Sequence, residues 1–320
     1  MKKFIKIIDL FREQEDVLRL KKIVYSSESL ENKITVPDIN RPGLAFVGYY
    51  DYFGYQRIQV IGKTEMCYLS NLSEEEFTSR IKKFMSYKIP CIIFSRNMKI
   101  PQLFIDEAKN NNTVILKSTL TTTKIVGSLT LFLDDCFAPS QNIHGTLLDV
   151  FGVGVLILGK SGVGKSECAL ELVERGHRLV ADDVVNVSCK VGKFLVGRGV
   201  SFIRHHMEIR GLGIIDIRSI YGTSSVRNQK RVGLVVSLED WNPDKEYERL
   251  GLEEKLYSIL GISLPHYIIP VKPGRNLAVL IEVATTTQRL KRMGVNPVRE
   301  IERKMFDIMN KGGNSLDTAF

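Results

Sequence analysis

The segment G-K-S-G-V-G-K-S at residues 159–166 decides the fold of the chain around it. It matches the pattern G-x-x-x-x-G-K-[ST], in which backbone N–H groups surround phosphate oxygens. The apolar, β-branched run at 153–158 precedes it and predicts a buried strand. Residues 167–175 follow with apolar side chains at helical spacing, and Gly176 predicts the end of that helix. Strand, glycine loop and helix are the context that a phosphate-binding loop requires.

Each residue type in this loop has a physical role. Glycines let the backbone direct its N–H groups at an anion, beside the positive end of a helix dipole. Lys165 supplies a positive charge for the outer phosphates, and the Ser166 hydroxyl is placed to hold Mg²⁺. The predicted phosphate-binding residues are Gly159, Lys160, Ser161, Gly162, Val163, Gly164, Lys165 and Ser166.

Two adjacent carboxylates follow the next predicted strand, 177–181. Asp182 and Asp183 are expected at the carboxyl end of that strand, where ligands bind in open α/β sheets. One carboxylate suits a metal and the other a base toward a substrate hydroxyl; a surface Asp-Asp turn is the alternative. His144 is either a core histidine or a residue that assists proton transfer.

The segment R-H-H-M-E-I-R-G-L-G-I-I-D at 204–216 combines charge with a flexible turn. Glu208 is a candidate second ligand for Mg²⁺, which takes few carboxylates together with phosphate oxygens. Arg210 stands before the glycines of the turn, Gly211 and Gly213. The adjacent histidines at 205 and 206 suggest zinc as an alternative, but no third ligand follows at a standard spacing.

Two further basic positions are candidates for anion binding. Arg249 lies in the charged segment 243–250, and Lys272 and Arg275 lie in the compact turn P-V-K-P-G-R at 270–275. Two cations on a glycine-bearing turn can clamp an anion. Solvated surface charge is the alternative for both segments.

Composition narrows the class of protein. A net charge of +9 without a long basic block or an aromatic-rich basic patch makes nucleic-acid binding a poor fit. No uninterrupted apolar run of 18 residues occurs, so a membrane-spanning helix is not expected. The five cysteines are odd in number and lack C-x-x-C spacing, which argues against disulfides and zinc. We therefore expect reduced core cysteines in a cytoplasmic protein.

The length fits two α/β domains. We expect an N-terminal α/β domain at 1–133 with an assembly or regulatory role, a catalytic domain at 134–309 and a flexible tail at 310–320. A polar, proline-containing join at 134–142 marks the boundary. Within the first domain, 5–8, 45–47 and 58–60 read as strands, and Ser73 with Glu76 predicts a capped helix start.

Taken together, these segments resemble the HPr kinase/phosphorylase family of bacterial regulators. The resemblance covers essentially the whole chain and is densest at 144–303. Beyond the phosphate loop it rests on E-R-G-H-R-L-V-A-D-D, M-E-I-R-G-L-G-I-I-D, E-D-W-N-P-D-K-E-Y-E-R-L-G and P-V-K-P-G-R-N-L-A-V-L-I-E-V-A. It implies a catalytic phosphate-loop core related to phosphoenolpyruvate carboxykinase, a homohexamer, and two opposed reactions on a serine of the protein HPr. These are phosphorylation by ATP or pyrophosphate with Mg²⁺, and phosphorolysis by inorganic phosphate.

The resemblance also implies roles for individual residues. Lys165 would bind phosphate, Ser166 and Glu208 would hold Mg²⁺, and Asp183 would be the acid/base with Asp182 beside it. The remaining implied site residues are His144 and Arg249 in the active site, Arg210, Gly211 and Gly213 for both directions, and Lys272 and Arg275 mostly for dephosphorylation. Two alternatives remain open: a small-molecule kinase or carboxykinase-like enzyme, and a non-catalytic nucleotide switch.

Overall fold

The computed structural model describes residues 4–200, 205–245, 247 and 254–295. The chain divides into two compact units, Met1–Ala138 and Pro139–Phe320. The predicted tail at 310–320 lies outside the described residues. No helix in the described ranges combines the length and the apolar character that crossing a membrane would need.

The first unit is an α/β layer structure. Its elements are β1 (Ile5–Lys6), α1 (Ile7–Leu18), β2 (Leu20–Val24), β3 (Lys33–Ile34), β4 (Ile39–Asn40), α2 (Gly43–Phe46), β5 (Ile58–Ile61), α3 (Lys63–Ser70), α4 (Glu74–Met85), β6 (Cys91–Phe94), α5 (Gln102–Asn110), β7 (Val114–Ser118) and α6 (Thr122–Phe137). The five-stranded sheet has the order β2-β7-β6-β5-β4, in which β4 to β7 are parallel and β2 is antiparallel to β7.

Apolar cores cover both faces of this sheet. Val60 and Ile93 belong to one core, and Ile61 and Phe94 belong to the other. All four side chains are buried, as expected for a parallel sheet with helices on both faces. The prediction of an α/β unit with parallel strands is therefore confirmed for the described residues.

Three local predictions in this unit have informative outcomes. Ser73 caps α4, because its hydroxyl accepts from the Glu76 N–H and the Glu76 carboxylate accepts from the Ser73 N–H, as predicted. The strand predicted at 5–8 is wrong beyond Lys6, since apolar residues recur at helical spacing from Ile7 onward. The strand predicted at 45–47 is wrong as well. A three-residue apolar run has no period, and Ala45 is buried in the short helix α2.

The polar join predicted at 134–142 is mostly regular structure. Helix α6 continues to Phe137, and strand β8 begins at Ser140. Leu133 and Phe137 lie one helical turn apart and both pack into the first unit's core, so the helix continues past Asp134 and Asp135. The connection between the two elements is therefore only Ala138 and Pro139.

The cysteine prediction holds in part. Cys91 and Cys168 are buried thiols, and burial raises the pKa of each, that of Cys168 to about 12. Raised pKa values make these thiols unreactive at neutral pH. Cys67 is exposed, so it is not the core residue that was expected.

The second unit is built on a nine-stranded sheet in its described part. Its elements are β8 (Ser140–His144), β9 (Thr146–Val150), β10 (Val153–Gly159), α7 (Lys165–Glu174), β11 (Arg178–Ala181), β12 (Val184–Lys190), β13 (Phe194–Gly199), β14 (His206–Ile209), β15 (Gly213–Asp216), α8 (Ile217–Tyr221), β16 (Gln229–Asp240), β17 (Leu256–Ile259), β18 (Ile262–Val271) and α9 (Leu277–Arg292). The main strand order is β11-β9-β10-β16-β13-β12-β8, with β18 beside β16 and β17 beside β18.

Three neighbouring strands of this sheet run parallel and fix the position of the glycine loop. Strand β10 pairs in parallel with β16, and β16 pairs in parallel with β18. Their carboxyl ends therefore share one edge, with Gly159 opposite Leu238 and Glu239 opposite Pro270. Helices α7 and α9 cover one face, where Leu172 and Ile281 join the same buried core.

Candidate active site

The glycine loop connects β10 to α7, as the sequence predicts. Strand β10 ends at Gly159 and α7 begins at Lys165, so the loop N–H groups lie at the positive end of the helix dipole. Gly162 has φ +81°, and a Cβ atom there would lie 2.8 Å from the Arg210 guanidinium. Only glycine allows this backbone shape and this close approach together.

Lys165 lies across the loop. Its ammonium donates hydrogen bonds to the carbonyl oxygens of Gly159 and Lys160, each at 2.9 Å. These contacts hold the positive charge inside the loop, where outer phosphate oxygens would bind. Lys165 also lines a cavity of about 280 Å³ that opens at this edge of the sheet.

Asp182 forms the buried side of that cavity. One carboxylate oxygen accepts from the Thr146 hydroxyl at 2.6 Å, and the other accepts from the Ser166 hydroxyl at 3.0 Å. The side chain is almost fully buried. Burial raises the pKa of Asp182 above its ordinary value, although both hydroxyl hydrogen bonds oppose this effect. Asp182 therefore orients Ser166, the residue predicted to hold a metal.

Asp183 has the opposite environment although it is the next residue. Its side chain is 75% exposed, and its carboxylate lies 3.9 Å from His144 Nδ1. Its φ of +62° belongs to the left-handed region, which aspartate tolerates better than most residues. The Asp183 carbonyl accepts from the Gly145 N–H at 2.9 Å, which ties the two strand ends together. Asp183 and His144 thus meet at the cavity mouth, in reach of an incoming group.

The hairpin of β14 and β15 forms another part of the cavity wall. Glu208 and Arg210 line the same cavity as the phosphate loop. Met207 and Ile209, the alternate residues of β14, are buried and anchor the hairpin in the core. Gly211 and Gly213 have φ near +88° and +86° and form the turn. The hairpin therefore holds a carboxylate and a guanidinium over the glycine loop.

The basic turn at 270–275 does not line this cavity. Lys272 Nζ lies 5.2 Å from the centre of the Trp241 ring, a cation–π contact. Arg275 donates to the Pro270 carbonyl at 3.2 Å. Both residues follow β18, whose carboxyl end shares an edge with the phosphate loop. Arg249 lies outside the described residues.

The oxygen donors around the cavity suit a hard divalent cation. Ser166, Asp182 and Glu208 offer a hydroxyl and two carboxylates, and Mg²⁺ combines few such ligands with phosphate oxygens and water. Among the described residues no group of three histidine, cysteine or carboxylate side chains is arranged to hold a metal by itself. The zinc alternative at 205–206 thus gains no third ligand in the ranges that the structure covers.

Two residues at the site had no signal in the sequence. Thr146 holds Asp182 from a neighbouring strand, and Glu167 lines the cavity from the first turn of α7. A threonine in an apolar strand reads as an ordinary β-former, so only its contact with Asp182 reveals a role.

Comparisons with known proteins agree along the chain. The model of the HPr Serine kinase N terminus matches residues 5–133, and that of the HPr Serine kinase C-terminal domain matches 135–305. The HPr kinase/phosphorylase of Bacillus subtilis strain 168 is 46% identical over 290 residues, which cover 91% of this chain and 94% of that protein.

Two further matches carry related descriptions. The HPr kinase/phosphorylase of Caldanaerobacter subterraneus subsp. tengcongensis is 46% identical over 284 residues, which cover 88% of this chain and 93% of that protein. The solved structure of the Hpr(Ser) kinase/phosphatase from Coxiella burnetii is 38% identical with a TM-score of 0.45, and the match covers 48% of this chain and 93% of that one. With both family models matched and relatives similar over nearly their whole length, this chain belongs to the HPr kinase/phosphorylase family.

Proposed function

We propose that this chain phosphorylates a serine of the protein HPr, with ATP or pyrophosphate as donor, and removes that phosphoryl group by phosphorolysis. Inorganic phosphate is the second substrate of the reverse reaction, and pyrophosphate is its product. Both directions use the cavity at the glycine loop. Through this pair of reactions the protein would regulate carbon metabolism.

One observation carries the proposal: two adjacent carboxylates with different environments face one phosphate-binding loop. Asp182 is buried against Thr146 and Ser166, whereas Asp183 is exposed beside His144. Phosphoryl transfer needs groups within the cavity that position the phosphates and neutralise their charge. It also needs a base at the cavity mouth that accepts the proton of the attacking hydroxyl. A nucleotide switch needs no carboxylate at the cavity mouth, so the geometry favours an enzyme.

In the forward direction Asp183 accepts the proton of the serine hydroxyl. The serine oxygen attacks the terminal phosphorus of the donor, and the bond to the bridging oxygen breaks, which releases ADP or phosphate. The Lys165 ammonium and the loop N–H groups stabilise the charge on the transferring group. His144, 3.9 Å from Asp183, helps to position that carboxylate and to stabilise its charge.

In the reverse direction an oxygen of inorganic phosphate attacks the phosphorus of phosphoserine. The serine–phosphorus bond breaks, pyrophosphate forms, and Asp183 returns the proton to the serine oxygen. One loop serves both directions because ATP, phosphate and pyrophosphate present the same kind of oxygen to its N–H groups.

Ser166 and Glu208 would hold Mg²⁺, with Asp182 behind Ser166 to orient its hydroxyl. The bound cation would neutralise charge on the donor phosphates. Arg210, on the turn formed by Gly211 and Gly213, would contact the same oxygens in both directions.

Lys272 and Arg275 are proposed to act mainly in phosphorolysis. They follow β18 at the edge that carries the phosphate loop, although they do not line the 280 Å³ cavity. From this edge they could attract the second, free phosphate. Arg249 is proposed as an active-site cation from its position in the family pattern alone.

Several broader features belong to the same proposal. The first unit, through residue 133, would serve assembly or regulation, and residues 134–309 would form a phosphate-loop kinase core related to phosphoenolpyruvate carboxykinase. The protein would act as a homohexamer in the cytoplasm. The support is family membership, together with the buried thiols Cys91 and Cys168, which suit a reducing compartment.

The decisive experiment incubates purified protein with Mg²⁺, radiolabelled ATP and HPr. Label is expected on one serine of HPr, and added inorganic phosphate is expected to remove it as labelled pyrophosphate. HPr with alanine in place of that serine is the control and should stay unlabelled. Absence of labelled HPr, together with labelling of a small hydroxyl compound, would instead support the small-molecule kinase alternative.

A further inference from the structure

The single tryptophan of the chain lies beside the basic turn, at the edge of the sheet that carries the phosphate loop. Trp241 directly follows β16, and its N–H donates at 3.2 Å to the carbonyl of Val271, the last residue of β18. Strand β16 pairs with β10 on one side and with β18 on the other. The strand end that bears Trp241 therefore lies between the phosphate loop and the turn at 270–275.

Trp241 belongs to a stacked aromatic pair. Its ring centre lies 5.1 Å from that of Tyr247, and the two ring planes differ by 20°. The Tyr247 hydroxyl accepts from the Asn242 N–H at 3.1 Å and donates to the Asp240 carbonyl at 3.4 Å. These hydrogen bonds close the segment on itself and hold the tyrosine ring against the indole. Trp241 and Tyr247 thus form an aromatic platform at the edge of the sheet.

The Lys272 side chain rests on this platform. Its ammonium lies 5.2 Å from the centre of the Trp241 ring, within the range of a cation–π contact. In the parts of the chain that the structure describes, Lys272 forms no ion pair with a carboxylate. The indole therefore holds this lysine in one direction without neutralising its charge.

A nearby lysine has a different environment. Lys245 forms an ion pair with Glu239, and the hydrogen bond to that carboxylate raises the pKa of Lys245. Its positive charge is therefore compensated within the protein. Of these two lysines, Lys272 is the one whose charge remains for a ligand.

The position of Lys272 suits an anion that approaches the phosphate loop from outside. Two strand spacings of about 4.8 Å separate the end of β18 from the end of β10, so the basic turn begins roughly 10 Å from the loop. A free phosphate ion fits between a phosphoryl group on the loop and a cation at that distance. Phosphorolysis needs such a second phosphate, whereas the kinase direction does not.

We propose that Trp241, supported by Tyr247, is a positioning residue that directs Lys272 toward the attacking inorganic phosphate. This inference rests on the function proposed above and adds a residue to its phosphorolysis direction. A lysine held on a ring has already lost much of the rotamer freedom that it would otherwise lose on binding an anion. The indole therefore raises the affinity for phosphate without contacting it.

The activity test measures KM for inorganic phosphate, with serine-phosphorylated HPr as the other substrate. Trp241→Leu should raise this KM about fivefold, because a cation–π contact is lost, and should change KM for ATP less than twofold. In a Lys272→Met background the same substitution should have no further effect, because an indole that acts through Lys272 has nothing left to position. Trp241→Phe keeps an aromatic face and should restore most of the wild-type KM.

Lys245→Met is the matched control for the loss of one positive charge, and it should leave KM for phosphate within twofold. Thermal unfolding of each variant checks that the fold is intact. A further rise in KM when Trp241→Leu is added to Lys272→Met, as large as in wild type, would overturn the proposal. An equal rise in Lys245→Met and Trp241→Leu would overturn it too, since general charge rather than position would then matter.

Tryptophan fluorescence gives a second readout that needs neither HPr nor turnover. Because indole emission depends on the charge beside the ring, Lys272→Met should shift the emission of Trp241, the single tryptophan. Inorganic phosphate should shift the emission in wild type but not in Lys272→Met. An equal response to phosphate in both proteins would overturn the proposal, even if Trp241→Leu failed to fold. Since HPr is absent, this result is independent of the HPr labelling that tests the catalytic proposal.

Discussion

The inner and outer halves of the cavity at the glycine loop differ in how firmly their side chains are held before substrate binds. The inner half comprises Lys165, Ser166, Asp182 and Thr146. Asp182 accepts from the Thr146 and Ser166 hydroxyls at 2.6 and 3.0 Å, and the Lys165 ammonium donates to two loop carbonyls at 2.9 Å. The outer half comprises His144, Asp183, Glu208 and Arg210, which line the same cavity.

The two halves differ most in the exposure of the adjacent residues Asp182 and Asp183. Asp182 is almost fully buried, whereas Asp183 is mostly exposed and meets His144 only at 3.9 Å. Small donors such as ATP and pyrophosphate would bind to a preformed inner half. A protein serine must enter from outside, so the group that takes its proton has to stay accessible until it arrives. Two residues of one type can therefore divide positioning from proton transfer.

The largest expected effect comes from the centre of the inner half. Lys165→Ala should lower both kinase and phosphorolysis rates by about 10³ or more, because a fixed charge on the transferring phosphoryl group is lost. Donor affinity should fall too, which titration with pyrophosphate can measure. Lys160→Ala is the comparison variant: the sequence predicts that this lysine binds phosphate, but its side chain is exposed and does not line the cavity, so a much smaller loss is expected. Equal losses in both variants would mean that general loop charge, rather than the Lys165 contact, matters.

The second comparison replaces each of the two aspartates with asparagine in a separate variant. Asp183→Asn should lower kcat by about 10² to 10³ in both directions while donor affinity stays unchanged, because the variant lacks the general base that we propose at the cavity mouth. Asp182→Asn should instead lower donor affinity in the presence of Mg²⁺, because an amide leaves one acceptor oxygen for the two hydroxyls that Asp182 holds and removes the negative charge beside Ser166. If the two variants behaved alike in both measurements, the division between inner and outer halves would be wrong.

More of the inner half than of the outer half of the cavity could be predicted from the sequence. The glycine loop is a local pattern, and its strand and helix follow from apolar periodicity, so β10 and α7 appear where 153–158 and 167–175 predict them. Asp182 and Asp183 are local too, because they follow a strand. Which carboxylate is buried depends on Thr146, a residue 36 positions away from Asp182, and no local pattern contains that contact.

The basic turn at 270–275 also shows that a local sequence pattern does not predict the tertiary contacts of a side chain. Charge and glycine content predict an anion clamp at 270–275, but Lys272 lies over Trp241 and Arg275 bonds a carbonyl. Composition shows that cations are present, whereas the direction of each side chain depends on tertiary neighbours. The same holds for α2, where a short apolar run predicts a strand at 45–47 but the residues that pack around Ala45 and Phe46 form a helix.

A third experiment examines the threonine that the sequence did not reveal. Thr146→Val keeps the side-chain shape but removes a hydrogen bond that lowers the pKa of Asp182, against the burial that raises it. The pKa of Asp182 should therefore rise further, and the acid limb of the kcat/KM profile should move to higher pH, with about a tenfold loss at mildly acidic pH. Thr146→Ser should restore the wild-type profile. A profile unchanged in Thr146→Val would show that Asp182 does not depend on this hydroxyl.

The smallest expected effect concerns stability at the same buried carboxylate. Because burial raises the folded-state pKa of Asp182 above its unfolded value, its protonated form is favoured by folding. That stabilisation is complete below the unfolded pKa and is lost as the pH rises through the folded pKa. At neutral pH the buried charge therefore costs stability.

Asp182→Asn should remove that cost. We expect its Tm to exceed that of wild type by a few degrees at pH 8 without Mg²⁺, with the difference shrinking toward pH 4, since 1 kcal/mol corresponds to roughly 2–4 °C in a domain of this size. Asp183→Asn, at the exposed position, should leave Tm unchanged throughout that range. A Tm of Asp182→Asn below wild type at pH 8 would mean that hydrogen bonds from Thr146 and Ser166 outweigh burial, and that the inner half is stabilised rather than strained by its charge.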